Sequence, residues 1–435
     1  MKEFFKKIIV FIIQYESKLV LKKYKPKIIV VVGSVGKTTT KDAIYTVLRD
    51  SFFVRKSEKS FNSEIGLPLT ILGLENGWTN PLLWFKNIFE GAVLAILPSK
   101  YPDWLVLEVG ADQPGDIKGL SEWLAVDVAV ITRFPDVPVH VEFFDSPQAV
   151  IEEKLSIIDA LKEDGTLVLN VDDEKIAAVR EKLVTRKIVS VGVGKNHDVG
   201  ATHIGVISKD KVPQGTRFHL HIGEQEKTIE LEGVLGKQHV YPSLSAAAVG
   251  HALGLEGNVI AEGLSLYKPV RGRMRILPGL KQTTLIDDTY NSSPIALEEA
   301  LNVLSQVETR GRKIAVLGDM LELGKFSIDA HRKAGKKAAE VSDIVMTLGF
   351  RSRDIAEGAL QNGMHPSKLF QYDDVKRLGK ELEHMLEEGD LVLLKGSQGS
   401  GQNMIRLERV VEEVMAEPQR KNELLVRQDK EWKQR

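Results

Sequence analysis

The sequence contains no cysteine, which excludes disulfides, thiolate zinc sites and a cysteine nucleophile and fits a reducing compartment. An excess of charge is also missing. Lys and Arg number 59 against 60 Asp and Glu, a formal net charge of −1, so no global basic field recommends nucleic acid as a partner. Nor does any run approach the roughly 18 to 20 apolar residues that a membrane-spanning helix needs. What is present is length: 435 residues, enough for two or three domains with ample buried core.

The chain is organised around residues 27–50, KIIVVVGSVGKTTTKDAIYTVLRD. A β-branched run breaks at Gly33, passes through Ser34-Val35-Gly36-Lys37-Thr38-Thr39, and continues with helical apolar spacing at Ala43, Ile44, Val47 and Leu48. That predicts a strand, a glycine loop and a helix. Such a loop turns backbone N–H groups toward a phosphate, the helix N-terminus adds partial positive charge, the lysine reaches the outer phosphates and the threonine can ligate Mg²⁺. The expected ligand is ATP or GTP. The usual glycine five residues before Gly-Lys is here Val31, so the match is to a shorter variant of the loop.

Residues 1–27 carry Phe4, Phe5, Ile8, Phe11, Ile12, Tyr15 and Leu19 at helical spacing, with eight lysines against two glutamates. The pattern is that of a helix on an anionic membrane surface. A signal peptide fits less well, because Gln14 interrupts the apolar run and no small-residue cleavage site follows. A helix packed on the domain behind it is the other reading. Residues 81–98 are apolar but hold Lys86 and Glu90, which predicts an internal or interfacial helix.

From residue 104 strand and helix patterns alternate: strands over 104–109, 126–132, 166–171 and 187–191, and a helix from about 146. Alternation of this kind predicts a parallel sheet with crossover helices. Residues 201–235 switch to a period of two with turn signals, predicting antiparallel strands at one side of the sheet. Residues 243–253, rich in alanine and serine, predict a tightly packed helix, and a boundary falls near 268–269. Strands at 284–288, 314–318, 344–348, 369–372 and 391–395 then predict a second doubly wound domain, with its ligand at the carboxyl ends of the strands. The expected organisation is thus a basic segment (1–27), a central P-loop domain with a mostly parallel sheet (28–268), a Rossmann-like α/β domain (269–416) and a charged tail (417–435), frayed or helical.

Several strand ends carry chemistry. Glu108 ends a strand in the P-loop domain, where a magnesium-binding acid belongs. His140 lies in PVHVEFF and Lys154 fourteen residues on. In the second domain Arg273, in Gly-Arg-Met, has the planar fork of donors suited to a γ-phosphate. The polar turn from Asp288 through Thr289, Tyr290 and Asn291 could hold ribose or base. LGDMLELG at 317–324 and KGSQG at 395–399 are further strand-end turns facing the same crevice.

In this order these motifs resemble the Mur ligase family, and within it the MurF type, over residues 28–415. The resemblance implies an ATP-dependent amide ligation, in which the γ-phosphoryl passes to a substrate carboxylate and an amino group attacks the acyl phosphate. The product would be a cell-wall peptide precursor extended by an amino acid or dipeptide such as D-alanyl-D-alanine. It implies two Mg²⁺, one near Thr38 and Glu108, the other near His140 and a carbamylated Lys154. It further implies ATP contacts from Gly33 to Thr39, from His239 and from Arg273, Asp288, Tyr290 and Asn291, and substrate contacts at Asn62, Lys395 and Ser397. A cytoplasmic monomer is expected, with peripheral contact at the inner membrane face through residues 1–27.

The sequence departs from the family at several points. His239 stands where the family has the asparagine that touches adenine, Asp112-Gln113 where it has Asn-His, Arg133 where it has a short Asn-containing turn, and Gln398 where MurF types have Arg. Only 32 residues precede Gly33, whereas MurF types place a UDP-sugar-binding domain there. Two alternatives stay open: a related ligase acting on a polyglutamate or lipid-linked acid, or a membrane-associated nucleotide-binding protein that ligates nothing. A switch of that kind has no need of His140 and Lys154.

Overall fold

A computed structural model describes residues 2–58, 64–78, 80–183, 186–397, 405–429 and 432. Two sheets carry the fold. The first has nine strands: β1 (Lys27–Val32), β2 (Val54–Lys56), β3 (Trp104–Glu108), β4 (Val126–Ile131), β5 (Leu161–Asn170), β6 (Lys187–Val193), β7 (Val199–Lys209), β8 (Val212–Ile222) and β9 (Gln225–Glu232). Their spatial order is β2-β3-β1-β4-β5-β6-β7-β8-β9. The pairs from β2 to β7 are parallel, while β7-β8 and β8-β9 are antiparallel. The predicted change of period after residue 200 is therefore a real change of strand direction.

The second sheet contains β10 (Arg275–Pro278), β11 (Thr284–Asp288), β12 (Lys313–Gly318), β13 (Ile344–Leu348), β14 (Leu369–Tyr372) and β15 (Leu391–Lys395). They are ordered β10-β11-β15-β12-β13-β14, and β10 alone runs antiparallel to its neighbour. The expected α/β class holds, with a large, mostly parallel sheet and a second sheet parallel apart from β10. Two short strands, β2 and β10, were invisible in the periodicity, because three or four residues are too few to show one.

Central strands are buried on both faces, as their unbroken apolar runs require. Val30 and Val32 look into one core layer, Ile29 and Val31 into the other, all of them fully buried. Tyr267 belongs to the core around the first sheet and Met274 to the core around the second. The two sheets are linked there by Leu235 N donating to the Met274 carbonyl and Ile276 N donating to the Gly233 carbonyl.

Helix α1 (Lys2–Tyr24) buries Ile13, Glu16, Ser17 and Val20. It packs against α3 (Gly66–Leu72) and α4 (Pro81–Ile96) on one face of the first sheet, whereas α2 (Lys37–Leu48) lies on the other face. The reading of residues 1–27 as a helix packed on the following domain is thus met on one side of α1. Its other side is exposed. No helix among the described residues is long and apolar enough to cross a membrane.

The described part of the C-terminal tail is packed and partly helical, with short helices at Pro418–Arg420 and Lys421–Leu424. After the helix Leu407–Val414 the chain turns back, Leu424 and Leu425 enter the second core, and Arg427 is only 8% exposed.

Candidate active site

The loop after β1 is built by steric need. Gly33 has φ +140°, and a Cβ there would lie 2.1 Å from Thr132 Oγ1 on β4's end. Gly36, at φ +87°, caps α2 from the left-handed region, a conformation costly for any side chain with a Cβ. Lys37 begins the helix and its Nζ donates to the Gly33 carbonyl at 3.1 Å. Burial depresses the Lys37 ammonium pKa, the Glu108 carboxylate opposes that, and Arg273 adds to it.

Thr38 Oγ1 donates to Glu108 Oε1 at 3.1 Å. Glu108, 2% exposed, has Lys41 Nζ at 3.7 Å from Oε2, and that oxygen accepts no hydrogen bond. A hydroxyl and an under-satisfied buried carboxylate side by side suit a hard divalent cation. Among the described residues no group of three or more His, Asp or Glu side chains is arranged to hold a metal ion, so phosphate and water oxygens would have to complete the coordination of any such ion.

One cavity of about 430 Å³ unites both domains. From the first come Ser34, Val35, Gly36, Lys37, Thr38, Glu108, Asp112 and His140; from the second come Arg273, Tyr290, Asn291, Glu322 and Ser397. Residues separated by hundreds of positions thus face one space, as the motifs implied.

His140 adopts φ 70°. Its Nδ1 is 2.8 Å from a Glu322 oxygen and its Nε2 is 3.6 Å from Asp112 Oδ1. The hydrogen bond from His140 holds the Glu322 carboxyl below its ordinary range. Lys154 sits on the helix Pro147–Leu155. It is 1% exposed, and its Nζ donates at 3.0 Å to Ser34 Oγ, reaching the cavity only through that hydroxyl. Burial, helped by the Lys37 charge, pushes its pKa down to about 7.

Arg273 stacks on Tyr290, with its guanidinium carbon 4.1 Å from the ring centroid, and its buried Nε has no acceptor. Gly272, at φ +64°, accepts from Tyr290 N, which lies 2.9 Å from where a Cβ would be. The tail clamps the same turn. Arg427 donates to the carbonyls of Thr289 and Tyr290 and pairs with Glu408 at 3.1 Å.

Three expected contacts are corrected. Asp288 and Lys395 bind each other at 2.6 Å, and Lys395 also donates to the Asn291 carbonyl. Both are buried and spend their charges on each other and on the turn, since an isolated charge at that depth would be costly. His239 lines neither interdomain cavity; it is 1% exposed and its Nε2 lies 2.9 Å from the Arg273 carbonyl. Burial pushes its pKa down to about 4, so it is a neutral strut. The neighbouring Gln238 instead faces a small second cavity beside Gly36, shared with Asn170, Tyr241 and the interdomain ion pair Arg133–Glu299. Gly33 and Thr39 shape the loop from outside the cavity lining. Asn62 and Gln398 lie outside the described residues.

Glu322, Gln238 and Arg427 were not singled out as functional. Glu322 sits inside the 317–324 motif and Gln238 next to His239, but nothing local distinguishes them from solvated side chains. No local signal marks Arg427 at all.

The Mur ligase middle domain matches residues 87–250 and the Mur ligase glutamate ligase domain residues 272–398. The UDP-N-acetylmuramoyl-tripeptide--D-alanyl-D-alanine ligase of Bacillus subtilis is 31% identical over 407 residues, 93% of this chain and 79% of that protein. The ligase of the same name from Mycobacterium leprae is 30% identical over 86% of this chain and 71% of its own length. Among solved structures, MurF ligase from Thermotoga maritima in complex with ADP superposes with a TM-score of 0.73 at 26% identity, covering 93% of this chain and 83% of that one. MurF from Acinetobacter baumannii gives 0.71 at 25% identity, covering 89% and 77%. With both domain models matched in order and relatives of this identity along most of its length, the chain belongs to the Mur ligase family.

Proposed function

We propose that this chain is an ATP-dependent amide ligase that joins D-alanyl-D-alanine to the peptide carboxylate of a cell-wall precursor. The observation that carries the reading is the single cavity in which Lys37, Thr38 and Glu108 of one domain face Arg273 of the other. Such a split site suits phosphoryl transfer, whose catalysis is mostly positioning and charge stabilisation. The acid oxygen bonds to the γ-phosphorus as the bridging bond to ADP breaks. The dipeptide amine then attacks the acyl carbon, and phosphate leaves with the C–O electron pair as the nitrogen loses a proton.

In this reading Lys37 and Arg273 balance the charge on the transferring phosphoryl group, and Arg273 does so with a planar fork. Thr38 and Glu108 would hold one Mg²⁺, which supplies charge neutralisation at the phosphates. Lys154 would be carbamylated. A buried amine with its pKa near 7 is largely neutral at slightly alkaline pH and can add CO₂, losing a proton and turning a cation into an anionic oxygen ligand beside Ser34. With His140 it would serve the second ion. Gln238 and Asn170, which line the small cavity beside Gly36, would read the base. The chain is read as a monomer working at the cytoplasmic side, with peripheral membrane contact through α1.

Phosphate release tests the assignment. With UDP-linked muramoyl tripeptide and D-alanyl-D-alanine together, release and product should appear, and Lys37→Ala should abolish both. Equal release without an amine overturns ligation. Release with another acid alone makes the chain a ligase of that acid.

A further inference from the structure

The outer helices of the first domain carry a surface that ligation does not use. On α4, Leu82, Phe85, Phe89 and Ile96 are 79, 74, 64 and 75% exposed, while Trp84, Asn87 and Gly91 are buried. At about 100° per residue the four exposed side chains fall within one narrow stripe, opposite the buried face. Helix α1 repeats the arrangement: Ile8, Phe11, Tyr15 and Leu19 are exposed on the side away from Ile13 and Val20. Monomer surfaces scatter such residues singly; a contiguous set of eight across two neighbouring helices marks a contact surface.

The two helices are locked as one unit. Gly91 lies against Glu16, where a Cβ would come within 2.2 Å of the carboxylate. Lys23 Nζ and Tyr24 Oη donate to the Leu94 and Leu97 carbonyls at the end of α4, a cation completing a helix C-terminus. Because Glu16 meets Gly91 and Lys23 meets Leu94 and Leu97, the helices run side by side in the same sense. Both bury their inner faces in the core layer on one side of the sheet, so their apolar faces look outward together.

The charge around this face selects its partner. Exposed Lys7, Lys18 and Lys22 share the outer side of α1 with its apolar residues. Among the described side chains of the two helices, the acids are neutralised or hidden: Glu90 pairs with Lys86 and Glu16 is buried, while Glu64 beside them pairs with Lys6. Aromatic and aliphatic side chains rimmed by lysine fit the interface of an anionic bilayer, and a protein partner would need an acidic rim around its own apolar patch.

Position adds a reason. Tyr24 stacks on Tyr101 with centroids 4.6 Å apart, so both helices end beside the starts of β1 and β3. Their N-terminal halves therefore extend toward the strands' other ends, where the P-loop and Glu108 lie.

We propose that the exposed faces of α1 and α4 together form a docking platform for an anionic membrane surface, which holds the active-site end of the chain beside the bilayer. This reading does not depend on which acid or amine is ligated.

Flotation of the full chain with phosphatidylcholine vesicles, with and without about 30% phosphatidylglycerol, is the test. The chain should float with the anionic vesicles and be released by high salt in part only, since the apolar contact is not screened. The variant Leu82→Ser/Phe85→Ser/Phe89→Ser should lose partitioning by about tenfold or more, with melting temperature and phosphate release in solution unchanged. The variant Lys7→Gln/Lys18→Gln/Lys22→Gln should lose the preference for anionic lipid. A chain that stays in the soluble fraction with both vesicle types overturns the proposal, as does equal flotation by the serine variant. A doubled mass in light scattering without vesicle binding, abolished by the serine changes, would make the face a self-association surface instead. Ligation measured on the same samples with soluble substrates separates these results from the assignment of activity.

Discussion

His140 and Glu322 join the two domains across the active cavity: the imidazole Nδ1 lies 2.8 Å from the carboxylate, and both residues adopt left-handed backbone, at φ 70° and 62°. Neither is glycine, so each conformation carries a local cost that the surrounding structure must offset. The contact orients His140 with Nε2 toward Asp112. Groups that orient a metal-binding histidine typically contribute 10- to 100-fold in metal affinity or activity. Glu322→Ala should therefore raise the Mg²⁺ concentration for half-maximal phosphate release by about tenfold or more. Glu322→Gln, which can still accept from Nδ1–H, should recover most of it. A magnesium titration of both variants decides the matter, and unchanged curves would remove Glu322 from the site.

Lys154 lies behind the P-loop, donating to Ser34. Lys154→Ala should lose activity by on the order of a hundredfold and regain part of it with added formate or acetate, since the missing element is an oxygen anion. Ligation by the unaltered chain should also fall in CO₂-depleted buffer and return with bicarbonate. Absence of rescue together with indifference to bicarbonate would leave Lys154 as a plain buried support of Ser34.

Arg427 and Arg273 share the Tyr290 ring, their guanidinium carbons 5.6 and 4.1 Å from its centroid. Arg427→Ala should slow ligation by about tenfold, mostly in kcat. If it acts by placing Arg273, the Arg273→Ala/Arg427→Ala pair should be no slower than Arg273→Ala alone, because residues acting as a unit are not additive. Multiplying losses would show that the tail supports the site by another route. Arg273→Lys should also be poor, since a point charge lacks the planar fork.

Burial between α1 and α4 pushes the Glu16 carboxyl up to about 7, and its Oε2 accepts no hydrogen bond. The unfolded chain releases this proton near 4.5, whereas the folded chain keeps it until about 7. Between those values the unfolded state binds fewer protons, so this group's contribution to stability falls as pH rises and stays low above 7. Glu16→Gln should then melt close to the parent at pH 5 and roughly a few degrees higher at pH 8. A melting difference that does not grow with pH would contradict the burial of an uncompensated carboxylate.

Much of this architecture was legible along the chain because it depends on local pattern. Unbroken β-branched runs such as Ile28 to Val32 mark strands buried on both faces. The pairing of Gly33 and Gly36 with Lys37 and Thr38 marks a phosphate loop wherever a strand precedes and a helix follows. Arg273, Tyr290 and Asn291 could be named as well, because strand-end turns of parallel sheets open on one crevice. Pairings between distant residues were not legible. Nothing near His239 says that its ring is spent on the Arg273 carbonyl while Gln238 faces the small cavity beside Gly36, since one helical position rotates a side chain by about 100° and only packing selects which faces inward. Asp288 and Lys395, 107 positions apart, look like ligand groups until their mutual ion pair is seen. The tail's Arg427 and the half-buried α1 were decided in the same way: amphipathic spacing identifies two unlike faces of a helix, but which of them the rest of the molecule covers depends on contacts that exist only once the chain is folded.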